Sequence, residues 1–460
     1  MLRYRCWPCL GLLLLAGGCA VPTARDNAGA AARLLEGRVP AALVWRRDDQ
    51  ADRQARQQAE QLLRDGLTLN EAIGVAFLTS PALQIAFEQL EISRTELVGA
   101  VRPANPVLII GARKPSGDLA AFYPDRTISV GVLQNVISLL TIPDRRAYAT
   151  RNVERVRNEV AQQAATHAAE VAESWYKYSA ARQQQALHER SLNVVRTALD
   201  NLAVLAANGD AEALDGLPQG RNELYAVEES VDRARLEVAA SRIELASLMG
   251  IAGWRDDWEI AGGLPPLPAS DPDPAAAEAA AMDGRLDLIA ARKAVEMRLR
   301  QLAMQRRFRW LSELEIGVFR DKALGGTPFT GPNAALEVPL FDQRQQAVLE
   351  ADAQLRIAMR QLEATALEAR RQVRLHAESL AVMRRVVERY ERDVLPNHER
   401  AAADVGAGDP GDISRLNRRL ALLEAQRAHL QALRDYWVAR SAFAQATGQW
   451  QEYGGGDGAG

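Results

Sequence analysis

Cysteine is nearly absent from this chain. Its 460 residues hold three, Cys6, Cys9 and Cys19, all close to the N-terminus. If the leader is removed, no thiol pair is left, which excludes a disulfide framework and a thiolate metal site. Beyond the leader there is no uninterrupted apolar run of the ~20 residues that a spanning helix needs. Any crossing of a bilayer must then be made by β-strands, because unpaired backbone is not tolerated in lipid. Aromatic residues are only 5% of the chain, and the formal net charge is −3. Such a charge gives no general attraction to nucleic acid, so none is expected as a partner. With 25% charged residues, the composition is that of a helix-rich globular or coiled-coil protein.

The N-terminus carries the most specific local signal. Arg3 and Arg5 precede the apolar run Leu10 to Leu15, and Ala16, Gly17 and Gly18 lead into Cys19. This order reads as a secretory signal over residues 1–18. Ala-Gly-Gly-Cys resembles a bacterial lipobox, although Ala16 stands where such boxes usually carry Leu. The resemblance implies cleavage before Cys19 and lipidation of its thiol. The alternative is an ordinary signal peptide with a chance cysteine. Ala20 follows the cysteine, and the absence of an Asp there points to the outer membrane.

Residues 19–66 read as an irregular lead ending in a short polar helix. From Leu67 the pattern is regular. Thr68 or Asn70 can cap a helix that pauses at Ser80-Pro81 and ends before Pro103 and Pro106. The period then falls to two, which predicts strands at about 105–113 and 126–134. Between Asp144, a candidate cap, and Asn208 there is neither proline nor glycine. A helix of that extent spans roughly 90–100 Å, longer than ordinary globular domains contain. Breaks at Gly209, Gly216, Pro218 and Gly220 precede a second helix over about 221–249. This first repeat, 67–261, is followed by a Pro/Gly-rich linker, 262–284.

The same order then recurs over 285–448. A helix leads to strands at about 311–321 and 333–340, then a long helix over about 342–404, free of proline from Asp342 to Leu395. Breaks at Gly406, Gly408, Pro410 and Gly411 precede a last helix over about 413–447. A flexible Gly-rich tail, 449–460, closes the chain. The frame is thus a duplicated helix, strand, strand, long helix, helix. The fold class is mainly α with a small β part. Four strands cannot close a membrane barrel, so strands that span a membrane require oligomerisation, and three chains would supply twelve.

This frame resembles the TolC-like outer-membrane efflux factor family. The segments that carry the likeness are Leu67 to Ile73 with Ser80 to Leu83, Leu336 to Asp342, and Leu423 to Arg427. The resemblance implies a homotrimer with a twelve-stranded outer-membrane barrel that continues into a periplasmic α-helical barrel. It implies an exit duct working with a periplasmic adaptor and an inner-membrane transporter. The breaks, with Gly209, Gly216, Gly220, Gly406, Gly408, Asp409 and Asp412, become the periplasmic tip and adaptor-docking region. Members carry acidic constriction residues at positions that align with Ser414 and Asn417. Neither is acidic here, which puts an aspartate gate ring in doubt, and Arg415 and Arg418 stand beside them.

The remaining candidates read more plainly. The five histidines (His167, His188, His376, His398 and His429) form no ligand pair at helical spacing, so no metal site is expected. Gly325-Gly326 lacks the Lys and the helix of a phosphate cradle. No nucleophile–base arrangement emerges, so neither an enzyme nor a cofactor is expected. Trp310, Phe319, Phe329 and Phe341 fit either a lipid-boundary girdle or packing in a belt. A periplasmic adaptor or coiled-coil scaffold lipoprotein is the competing reading. Adaptors, however, have one helical hairpin flanked by β-rich domains.

Overall fold

The computed structural model describes residues 21–114, 127–311, 313–323, 326–403 and 413–450. These residues are mostly helical, with one small antiparallel sheet. Two compact units share the chain. The first takes Glu88–Asn158 and Ile289–Thr365 with the lead up to Gly29. The second takes Ala30–Phe87, Glu159–Leu288 and the chain from Ala366 onward.

In the lead, α1 (Ala24–Arg33) is followed by α2 (Asp49–Leu62), whose cap Asp48 accepts from the Ala51 amide. Helix α3 (Leu69–Thr79) opens on a complete capping box. Thr68 accepts from the Glu71 amide, and the Glu71 carboxylate takes the Thr68 backbone N–H in return. Ser80 is extended and Pro81 starts α4 (Pro81–Ala100), which leaves the axis at a 50° bend. Among the described residues no single helix is long and apolar enough to cross a membrane.

The sheet belongs to the first unit. β1 (Val107–Arg113), β2 (Thr127–Asn135), β3 (Leu314–Ala323) and β4 (Phe329–Leu336) pair in that order, every neighbour antiparallel. The two repeats meet at β2 and β3, where Val132 faces Val318 and Val130 faces Arg320. β4 lies four residues earlier than the alternation of Ala334, Leu336, Val338 and Leu340 predicts. Pro328 and Pro332 read locally as loop. Pro332 is nonetheless held opposite Val318, in a strand that is the sheet's edge and has a ladder on one side only.

After the short α5 (Val136–Leu140), α6 runs unbroken for 66 residues, Ile142–Ala207. Asp144 sits inside its first turn rather than capping it, and receives Arg307 of α9 (Leu286–Arg307) at 2.8 Å. Lys293 to Glu154 (3.3 Å) and Arg151 to Glu296 (3.0 Å) tie the same two helices. Helix α7 (Ala211–Leu248) begins ten residues before the expected start at Arg221. Asp210 caps it through the Ala213 amide, so Gly216, Pro218 and Gly220 are helical and only Asn208 to Asp210 form the turn.

The expected linker contains a helix, α8 (Pro274–Gly284). Its alanine run has high helix propensity, Asp273 caps it, and Pro274 occupies the first turn, where the missing N–H costs nothing. Helix α10 (Gln345–Arg389) begins three residues later than expected. Arg344 holds a left-handed φ of 55° and its amide bonds Asp342. A π-turn, Tyr390–Val394, joins it to α11 (Leu395–Ala403). The Leu395 N–H reaches back to the Tyr390 carbonyl. That widened turn lies just ahead of Pro396, whose ring would crowd a regular α-turn. The last helix, α12 (Ile413–Thr447), has the expected span.

The second unit is held by aromatic packing. Tyr176 stacks on Trp437 (5.4 Å between centroids), with Trp175 and Tyr436 edge-on. The chain before α8 is fastened here. The Trp437 indole donates to the Pro265 carbonyl at 2.9 Å. Asp271 accepts from Arg384 (2.7 and 2.8 Å) and from the Tyr436 hydroxyl (2.7 Å).

Candidate functional site

Strand alternation sorts the sheet into two chemically different faces. Directly opposed residues of antiparallel neighbours share a face. The register therefore stacks Leu108, Val132, Val318 and Pro332 in one row, and Ile110, Val130, Arg320 and Thr330 in the next. Ile128 and Lys322 extend the same face in one direction, Ile316 and Ala334 in the other. This face is exposed; Ile110 alone keeps 71% of its surface in contact with solvent. A contiguous apolar surface of this kind calls for a partner or a lipid phase.

The opposite face is mixed: small and polar residues (Gly111, Ser129, Gly131, Glu315, Gly317 and Asn333) alternate with Val107, Ile109, Leu133, Phe319 and Phe329. Gly131 and Gly317 let β2 and β3 approach. A Cβ at Gly131 would meet the Phe319 ring at 2.6 Å, and one at Gly317 would collide with the Val132 carbonyl oxygen. Phe319 thus covers a cross-strand glycine, an arrangement that pins register. Trp310, Phe329 and Phe341 are exposed.

Among the described residues, both sheet edges, β1 and β4, lack a second ladder. The helices enter and leave at one end of the strands: α4 precedes β1, α5 follows β2, and α9 precedes β3. Arg113, Thr127, Asp321 and Phe329 mark the other end.

The turn between α6 and α7 has the properties of a packed hairpin tip. Gly209 takes φ 92°, a conformation that side chains resist. Leu202, Ala206 and Ala213 are buried against one another with Leu205 and Leu217. A Cβ at Gly220 would stand 3.0 Å from Leu199, so this glycine allows close approach of α6 and α7. Of the other expected tip residues, Gly406, Gly408, Asp409 and Asp412 lie outside the described residues, as does Cys19. Ser414 and Asn417 are both exposed and fall three residues apart, on one face of the first turns of α12.

Away from the tip, His188 joins three helices. Its Nδ1 lies 2.8 Å from Arg427 of α12 and 3.1 Å from the Ser230 hydroxyl of α7. An arginine only donates, so this nitrogen accepts and the ring is neutral. Burial, and then the charge of Arg427, hold its pKa below the ordinary value. At the linker, burial works against ionisation of Asp271. Hydrogen bonds from Arg384 and Tyr436, with the charges of Arg384 and Arg440, outweigh it and keep the carboxylate below its usual range. Tyr436 is pushed up to about 12 by burial and by its bond to Asp271. These clusters unite residues far apart in the chain, so no local pattern announced them.

Comparison of the sequence with protein-family models and with curated proteins returns no match. Solved structures do match, over most of the chain. The outer-membrane channel OprN superposes with a TM-score of 0.68 at 16% identity, covering 86% of this chain and 92% of that one. The outer membrane protein VceC from Vibrio cholerae gives 0.66 at 16% identity, over 83% and 96%. The Neisseria gonorrhoeae MtrE outer membrane channel, in its open state, gives 0.65 at 14%, over 83% and 88%. At such identities the likeness is one of fold. The chain has the fold of TolC-like outer-membrane channels, as its duplicated frame implied.

Proposed function

We propose that three copies of this chain close a twelve-stranded barrel in the outer membrane and form the exit duct of a tripartite efflux or secretion system. The sheet carries the reading: four antiparallel strands with one exposed apolar face and two open edges, in a chain with a 66-residue helix. Such a sheet cannot remain alone in lipid, since both edges present unpaired backbone groups. Joining β4 of one copy to β1 of the next removes every edge and leaves a lumen. β2 and β3, with 9 and 10 residues, suit the ~9–11 residues of a tilted spanning strand.

The long helices then continue the duct through the periplasm, conducting cargo passively. Cys19 is its lipid anchor. Gly209, Gly216 and Gly220, with Gly406, Gly408, Asp409 and Asp412, mark the tip that docks a periplasmic adaptor, itself engaged with an inner-membrane transporter. Ser414 and Asn417 line the constriction, which makes it uncharged at those two positions. The deciding experiment is planar-bilayer conductance of the purified mature protein with its oligomer mass measured in parallel. Conducting trimers are expected. A monomer that leaves the bilayer silent would overturn the duct in favour of an adaptor or scaffold.

A further inference from the structure

The apolar face of the sheet is interrupted by charge in one place. Arg320 and Lys322 lie on it, opposite Val130 and Ile128. Both are exposed, and neither forms an ion pair among the described residues. The paired strand residues of this face include no carboxylate. The acidic strand residues Glu315 and Asp321 fall on the other face by alternation. Arg320 and Lys322 also occupy the end of β3 nearest the β3–β4 connection, away from the end where α9 enters.

We propose that Arg320 and Lys322 form a docking site for the phosphates of an outer-leaflet lipid headgroup. This inference rests on the duct reading, which turns the apolar face to lipid and the hairpin connections to the exterior. A cation on a lipid-facing strand is unfavourable at mid-membrane and tolerated near the interface, where a long side chain extends to the headgroups. A guanidinium matches phosphate oxygens two at a time, and an ammonium binds phosphate as a point charge. Two positions apart on one strand, the pair spans roughly 6–7 Å, which suits two phosphates on one headgroup or on adjacent lipids. The apolar residues beside the pair explain the selectivity for a lipid over a free anion. Ile110, Val130 and Val132 provide apolar surface beside the cations for acyl chains.

The test uses the full mature protein floated with phosphatidylcholine vesicles, with and without a bisphosphorylated glycolipid of the lipid A type. Lipid phosphorus retained per protein is then measured after detergent extraction. The wild type is expected to retain the phosphorylated lipid. The double variant Arg320→Gln/Lys322→Gln should retain at least about tenfold less, with Arg320→Lys close to wild type. Arg113→Gln, on the opposite face, should change nothing, and excess inorganic phosphate should not displace the lipid. Unchanged retention in the double variant would overturn the proposal. So would equal loss in Arg113→Gln, or displacement by inorganic phosphate, which would mark a lipid-independent anion site. Trimers that float but ignore phosphorylated lipid refute this site alone. A protein that never floats refutes the duct reading and this site together.

Discussion

Replacing Asp271 by asparagine should release the segment before α8 without unfolding the protein. In the native chain this carboxylate accepts two bonds from Arg384 and one from Tyr436, while Arg440 approaches at 3.5 Å. Its side chain is 18% exposed and that of Arg384 is 16% exposed, so the cluster is shielded but not dry. Removing one partner of a fully buried pair costs about 3–5 kcal/mol, because the other charge is left uncompensated. Residual solvent and the surviving Arg384 bond to the Pro268 carbonyl, at 2.9 Å, bring this down to roughly 2–3 kcal/mol. At ~1.4 kcal/mol per tenfold, local opening rises by about 30- to 150-fold.

Elastase cleavage after Ala269 measures that opening, since proteolysis follows the open population when reclosing is fast. Tyr436→Phe removes the hydroxyl's bond to Asp271 together with those it accepts from Arg440 (3.1 Å) and Arg384 (3.3 Å), but leaves the Arg384–Asp271 pair, and should raise cleavage only about five- to tenfold. The double variant should fall short of the product of the two effects, because the bonds share one acceptor. Cleavage of Asp271→Asn at the wild-type rate would refute the idea that this cluster fastens the segment. So would a double variant with fully multiplicative effects.

Two further outcomes follow from close packing and from charge. Gly317→Ala should disrupt β2–β3 pairing at a cost of about 3 kcal/mol or more, and so lower the yield of assembled protein. Gly331→Ala, where an added Cβ has open space, serves as the control, and equal yields would sink the argument. His188 has a folded pKa below its ordinary value of 6.5. Its share of stability is therefore complete above that value and is lost as pH falls below it, when the unfolded chain takes up the proton first. The urea midpoint of the wild type should drop more steeply between pH 7.5 and 5.5 than that of His188→Gln. Parallel curves would show that the Arg427 contact carries no pH dependence.

The elements that were legible in the sequence are those defined by a run. The 66 residues of α6 carry no helix breaker after its first turn, and the period-two segments around Val130 and Val318 give the two central strands. Misplacements arose where one residue type was given its usual weight and a neighbour outweighed it. Pro218 and the glycines at 216 and 220 read as breaks, yet the Asp210 cap had already started α7 upstream of them. The prolines of 262–284 suggested a connector, yet six alanines capped by Asp273 make a helix there. Pro332 argued against a strand, yet it lies in an edge strand, β4, whose other side carries no ladder among the described residues.

What no run discloses is closure between distant parts. Asp271 and Tyr436 are 165 residues apart, and each alone is an ordinary polar residue near an apolar stretch. The faces of the sheet are an intermediate case. Continuing the alternation from Leu314 through Ile316 and Val318 already places Arg320 and Lys322 with the apolar residues. The register adds that β1, β2 and β4 contribute no carboxylate to that face. Once its neighbours are known, the charge at the end of β3 becomes a pair of cations at the rim of an apolar surface.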